Sequence, residues 1–157
     1  MPTPARPSST VENPSVGPTS SSADVAAWIR TLEALDAQRS GAFWTLDLDV
    51  LDDIYVPGSS PWVADRALLS KYRKQNVRVR GLRITIDRTV ITRHTATTVT
   101  LRTTDRLTAG EAVDHAGTKT PLPPGRPTTR LITLTTTPTQ PETRATPTWR
   151  ISTITQA

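Results

Sequence analysis

Apolar residues in the first half of the chain recur every three or four positions, which is the spacing of amphipathic helices. The first segment with this spacing runs from Val25 to about Trp44, and a shorter one opens at Asp47. A third begins at Ser60, which acts as a cap, with Pro61 in the first turn, where its missing N–H costs nothing. The pattern therefore predicts three consecutive helices joined by short connections.

After Asn76 the pattern changes to an alternation of apolar and polar residues, which is typical of β-strands. Gly81 shifts the phase of the first strand by one residue, the mark of a β-bulge that bends the strand. The next strand, 96–107, places five residues on one face: Val99, Leu101, Thr103, Asp105 and Leu107. Three more strands are predicted, with a Pro-rich loop before the last two: 112–115, 131–137 and 149–155.

Helices first and antiparallel strands afterwards indicate an α+β fold, with three N-terminal helices packed on a curved, mostly antiparallel sheet. Residues 1–22 are rich in Pro, Ser and Thr and predict a disordered tether, because they offer little apolar surface to bury. Residues 23–157 form one domain on this interpretation. No apolar run is long enough to span a bilayer, and the first residues contain no secretory signal, which favours the cytoplasm.

The amino-acid composition excludes several kinds of functional site. The chain has no Cys, which excludes disulfides and thiolate metal sites, and the two His residues stand in no metal-binding spacing. We therefore predict no metal and no cofactor. The net charge of +5 and the pI of about 10.4 allow an anionic partner without identifying one.

The positive charge is concentrated in residues 71–93, which hold eight Lys and Arg residues against Asp87 alone. Tyr72 is the only aromatic residue there on which a base could stack, and no recognition helix is apparent, which argues against nucleic acid as the partner. The segment is either a solvated outer face or a surface that meets acidic residues of this or another molecule. The candidate anion or partner surface consists of Lys71, Arg73, Lys74, Arg78 and Arg80.

The order of elements and a set of short motifs resemble the nuclear transport factor 2-like superfamily, which includes SnoaL-like and cystatin-like proteins. The motifs are YVPGS, D..LL, GL, VTLRTTDRL, PLPPGRPTTR and WRI, spread between residues 55 and 151, and together they look like an uncharacterised actinobacterial branch. The resemblance covers residues 24–155. It implies a cone in which the sheet curls around the helices and leaves a pocket, and it allows a domain tethered outside a membrane by a segment this chain lacks.

Some members of the superfamily are enzymes. This chain has few of the catalytic residues that the resemblance to those enzymes implies. The ketosteroid isomerase site uses an Asp base together with a Tyr and a protonated Asp. The corresponding Tyr position falls on Arg39 and the base position falls near Val63, so only Asp105 matches. A SnoaL-like cyclase needs a single acid or base, for which Asp105, His94 and His115 are the candidates.

Asp105 also has a structural interpretation, as the partner of Arg102, Arg106 or Arg130 at the rim of the sheet. The leading prediction is a non-catalytic accessory or binding domain, whose partner is another protein, a second copy through the sheet, or a small apolar ligand. The alternative is a SnoaL-like cyclase or isomerase-type enzyme using Asp105. The residues predicted to line the pocket are Trp28, Phe43, Tyr55, Trp62, Leu101 and Trp149.

Overall fold

The computed structural model describes residues 21–136 and 147–157, and it shows three helices followed by an antiparallel sheet. The predicted α+β class is confirmed. The predicted tether lies outside the described residues, except for Ser21 and Ser22 at its end. The elements are α1 (Ser22–Thr45), α2 (Leu51–Ile54), α3 (Ser60–Gln75), β1 (Arg78–His94), β2 (Thr98–Val113), β3 (Lys119–Pro121), β4 (Thr128–Thr136) and β5 (Trp149–Gln156).

Helix α1 begins with a capping box. The Ser21 hydroxyl accepts a hydrogen bond from the Asp24 N–H, and the Asp24 carboxylate accepts one from the Ser21 N–H. The helix continues through Gly41 and ends where Leu46 adopts a left-handed conformation. Its buried side chains follow the predicted spacing and face the sheet: Leu32, Leu35, Ala42 and Phe43.

The second predicted helix is shorter than its pattern suggested. The Asp47 carboxylate accepts the Asp49 N–H and forms a turn, so α2 begins only at Leu51. After α2, the Val56 N–H donates to the Ile151 carbonyl oxygen and ties this connection to β5. Helix α3 then starts at Ser60 as predicted, with Pro61 in its first turn.

The sheet has the order β1-β2-β4-β5, with β3 beside β2. Strand β2 pairs with β1 along one edge, and its other edge pairs with β4 at one end and with β3 at the other. The strands predicted at 96–107 and 112–115 are one strand, because pairing with β1 continues past Gly110. Strand β3 was not predicted, since three residues are too few for a periodic pattern.

Strand β1 bends where its register shifts. Gly81 has a φ of +61°, and the register shifts between Arg80 and Arg83, which confirms the predicted bulge. Further shifts follow between Ile86 and Arg88 and between Ile91 and Arg93. The sheet remains open, and the helices cover its inner face.

The core lies between that inner face and the helices. The alternation predicted for β2 is confirmed, since Val99, Leu101, Thr103 and Asp105 are all buried. Other fully buried side chains come from every layer: Phe43, Leu51, Ile54, Leu69 and Leu134. In the described residues, no helix combines the length and apolar character required to cross a membrane.

Candidate ligand-binding cavity

A cavity of about 670 Å³ opens between α1, α3 and the inner face of the sheet. Its volume is within the range of pockets that hold small-molecule ligands. Most of its wall is apolar, and the apolar side chains come from both the helices and the strands: Leu32, Phe43, Leu68, Leu82, Ile84, Ile86, Leu107, Leu122, Ile132 and Ile154.

The first polar feature of the wall is a hydrogen-bond network centred on the buried carboxylate of Asp65. Arg39 donates to it from Nε at 2.6 Å and from Nη2 at 3.0 Å, and the Tyr55 hydroxyl donates at 2.7 Å. Bidentate, charge-assisted hydrogen bonds of this kind are strong and fix geometry. The network therefore joins α1 to α3 and orients the Tyr55 ring.

The network also changes how its members titrate. Burial raises the pKa of Tyr55, and the neighbouring negative charge of Asp65 raises it further. For Arg39 burial alone would lower the pKa, but the hydrogen bonds and charge of Asp65 outweigh burial and raise it. Arg39 therefore remains charged, and Tyr55 keeps its proton at neutral pH.

A second polar group is the ion pair between Asp105 on β2 and Arg130 on β4. Arg130 Nη2 lies 2.5 Å and 2.6 Å from the two carboxylate oxygens of Asp105. Asp105 thus faces the cavity as the enzyme interpretation required, and it is also bound to an arginine as the structural interpretation required. In the described residues Arg130 Nε is buried and has no partner.

A third carboxylate, Asp36 on α1, also lines the cavity. It accepts a hydrogen bond from the Ile84 N–H at 3.2 Å, and within the described ranges it forms no ion pair. Burial raises the pKa of Asp36, and the charge of Asp105 raises it too; the Ile84 N–H and the charges of Arg39 and Arg130 lower it. Of the buried or half-buried carboxylates in the wall, Asp36 is the one without an arginine partner.

Asp36 and Arg39 line the cavity, although neither is among the residues predicted from the sequence to do so. A signal was present, because both positions continue the three-and-four spacing of Leu32 and Phe43 along α1. Polar residues inside an apolar stripe of a helix face the interior. Such residues are candidates for a site or for a buried ion pair.

Two of the six residues predicted to line the pocket do so, namely Phe43 and Tyr55. Leu101 is buried in the core, and Trp28 packs edge-on against Trp149 with ring centroids 4.8 Å apart. Trp62 is half-buried on α3, where its Nε1 donates to Asp52 at 2.8 Å. Periodicity assigns a residue to a face, but it does not say which part of that face borders the cavity.

Neither histidine lines the cavity. The His94 ring lies 5.7 Å from the Trp28 ring, and His115 is in an exposed turn. No group of three or more potential metal-binding side chains comes together among the residues that the structure describes.

The five basic residues predicted as an anion or partner surface are all exposed, at the end of α3 and the start of β1. Arg78 donates to the Trp44 carbonyl oxygen at 2.9 Å, and its guanidinium lies 5.9 Å from the centre of the Trp44 ring. None of the five forms an ion pair in the described part of the chain. Their arrangement agrees with a solvated outer face.

No protein-family model matches the sequence, and no curated protein matches it. Among solved structures, the fold is similar to the intermembrane space region of the chloroplast protein ARC6, with a TM-score of 0.51. The two chains are 13% identical, and the superposition covers 82% of this chain and 96% of that one. At this identity the likeness concerns the fold alone.

Proposed function

We propose that the protein is a non-catalytic binding domain whose cavity takes up a small, largely apolar ligand. The observation that carries this proposal is the cavity of about 670 Å³ itself, with apolar walls and a few polar side chains that converge on it. Protein interiors are otherwise packed densely, with few voids larger than a water molecule. The space between the helices and the sheet is large enough to hold a small ligand.

The resemblance of the sequence to the nuclear transport factor 2-like superfamily supports the same proposal, because that fold leaves a pocket between sheet and helices. A protein partner or a homodimer has weaker support. Exposed large apolar side chains in the described residues are few and lie on three elements: Trp44 on α1, Val63 and Leu68 on α3, and Val90 on β1. Scattered apolar residues are normal for a protein surface.

An acid–base enzyme of the SnoaL-like type is the second candidate, and Asp36 is the observation that favours it. Asp105 is bound to Arg130, so its charge is already compensated. Asp36 lacks such a partner, and burial raises its pKa towards the range useful for proton transfer. Such an enzyme would use Asp36 rather than the Asp105 predicted from the sequence.

A pair of matched variants tests whether the cavity binds ligands. Ala64 and Ala67 are both exposed on α3, one turn apart, and only Ala64 lines the cavity. We expect the wild type to bind the neutral fluorophore N-phenyl-1-naphthylamine saturably. Ala64→Trp should weaken binding about tenfold or more, equivalent to about 1.4 kcal/mol, because the indole obstructs the cavity, and Ala67→Trp should leave binding unchanged.

Fluorescence titration measures the affinities, and circular dichroism establishes that both variants are folded. Two results would contradict the proposal. One is the absence of saturable binding to the wild type, and the other is equal affinity of the two variants for the fluorophore.

A further inference from the structure

The side chains around the cavity carry an excess of negative charge, although the protein as a whole carries +5. Among the described residues, four acidic residues line the cavity: Glu33, Asp36, Asp65 and Asp105. Two basic residues in the same part of the chain do so, Arg39 and Arg130. The local charge is therefore opposite in sign to that of the whole molecule.

Ion pairing within the wall accounts for both arginines. Arg39 is held by Asp65 in a bidentate pair, and Arg130 is held by both oxygens of Asp105. Each positive charge is thus already compensated by its own carboxylate. The two acidic residues left over are on α1, three positions apart, with Glu33 exposed and Asp36 half-buried.

The unpaired carboxylate of Asp36 is in an unfavourable environment. It has lost part of its hydration, it accepts one hydrogen bond among the described residues, from the Ile84 N–H, and the negative charge of Asp105 opposes its own. Arg39 and Arg130 attract it in part, but each of them is bound to another carboxylate. A cation placed beside Asp36 would offset both the lost hydration and the repulsion from Asp105. The apolar side chains around it require that the rest of the ligand be apolar.

We propose, on the basis of the binding function above, that the cavity takes up an organic ammonium ion, with its apolar body against the sheet and its charged nitrogen at Asp36. A bare metal ion fits poorly, because the wall is mostly apolar and no metal-binding cluster is found among the described residues. An anionic ligand would meet the unpaired charges of Glu33 and Asp36.

Three probes with the same apolar body test the charge preference: 2-(1-naphthyl)ethylamine, 2-(1-naphthyl)ethanol and 3-(1-naphthyl)propanoate. In calorimetric titrations of the full chain at pH 7.5, we expect the amine to bind about tenfold or more tightly than the alcohol. The propanoate should bind more weakly than the alcohol. Asp36→Asn should abolish the advantage of the amine, and the matched control Asp49→Asn should retain it, because Asp49 is exposed and lies outside the cavity.

Lowering the pH provides a second measurement that needs no variant. Protonation of Asp36 should weaken amine binding and leave alcohol binding unchanged. The charged groups that face Asp36 are Arg39 on its own helix, Asp105 on β2 and Arg130 on β4, and Glu33 precedes it by one turn. Glu33→Gln should have the smaller effect on amine affinity, since that side chain is exposed.

The outcomes separate this inference from the binding function on which it rests. If the alcohol binds as tightly as the amine, the charge preference is refuted while cavity binding stands. Selectivity that persists in Asp36→Asn would also refute it. If neither the three probes nor N-phenyl-1-naphthylamine binds, both the inference and the proposed function fail.

Discussion

Single carboxylates in the cavity wall differ in how their charge is compensated. Asp65 accepts three hydrogen bonds, two from Arg39 and one from Tyr55, whereas Asp36 accepts one, from the Ile84 N–H. Both lie at the boundary between apolar core and cavity. The residue types are identical, so the difference in behaviour comes entirely from their neighbours.

This difference predicts how stability depends on pH. The pKa of Asp36 in the folded protein is raised above its ordinary value of 3.8, mainly by burial, so the folded state binds this proton more tightly than the unfolded state does. The charge of Asp36 therefore destabilises the fold above the folded-state pKa, and the effect vanishes below the unfolded pKa. Asp36→Asn should increase the free energy of unfolding at pH 7 and leave it nearly unchanged below pH of about 3.8.

Urea denaturation of wild type and variant at each pH measures the difference. The control is Asp49→Asn, which removes the same charge from an exposed position. A variant that is less stable than the wild type at pH 7 would contradict the prediction and would show that the hydrogen bond from Ile84 outweighs the cost of burying the charge.

At the scale of elements, the long strand β1 owes its shape to interruptions of its pairing with β2. The bulge at Gly81 requires a φ of +61°, which residues with a side chain rarely adopt. The residues of β1 that follow this bulge, Leu82, Ile84 and Ile86, line the cavity. A single backbone conformation therefore contributes to the form of the site.

Substitutions at Gly81 and Gly41 allow the free-energy cost of the positive φ to be measured separately from steric clashes of an added side chain. Neither Gly81 nor Gly41 has an atom within 4 Å of the position that an added Cβ would occupy. Gly81→Ala should destabilise the protein by about 1–2 kcal/mol, because an L-residue is strained at positive φ. Gly41→Ala, inside α1, should stabilise it by about 0.5–1 kcal/mol, because alanine has the higher helix propensity.

Chemical denaturation gives both values in one series. Equal effects of the two substitutions, or a neutral Gly81→Ala, would mean that the bulge can relax to another conformation without cost.

At the scale of the molecule, the helices and the sheet share one core. Buried residues from α1, α2, α3, β1, β2, β4 and β5 belong to one apolar cluster, so no helix has a separate interior of its own. The four tryptophans lie in different parts of this unit: Trp28 and Trp149 pack together between α1 and β5, Trp44 is exposed near the end of α1, and Trp62 lies on α3. A structure built in this way should unfold as a single cooperative unit.

We therefore expect tryptophan fluorescence and far-ultraviolet circular dichroism to give coincident urea unfolding curves, with the same midpoint and slope. The Trp62→Phe variant removes the fluorescence of α3 and leaves that of Trp28, Trp44 and Trp149. A fluorescence transition that precedes the loss of helix signal would contradict the prediction and would indicate that one region opens independently.

Local rules were sufficient for much of the fold. The start of α3, the change of period after Asn76, the bulge at Gly81 and the inner face of β2 were all predicted, because each depends on residues within a few positions of one another. The second helix was predicted from Asp47, four residues before its actual start at Leu51. The sequence also predicted that Asp105 would lie on the inner face and that an arginine could pair with it. It left open which arginine that would be.

Only the tertiary structure decided the rest. Arg39 and Asp65 are 26 positions apart, and Asp105 and Arg130 are 25 apart, so the two ion pairs depend on which elements meet in space. Long-range packing also leaves Asp36 without an ion-pair partner among the described residues. It likewise places Trp28, Trp62 and Trp149 outside the cavity wall. Periodicity fixes the face on which a side chain lies because it follows from backbone geometry, whereas its partners and the cavity follow from long-range packing, which no local pattern encodes.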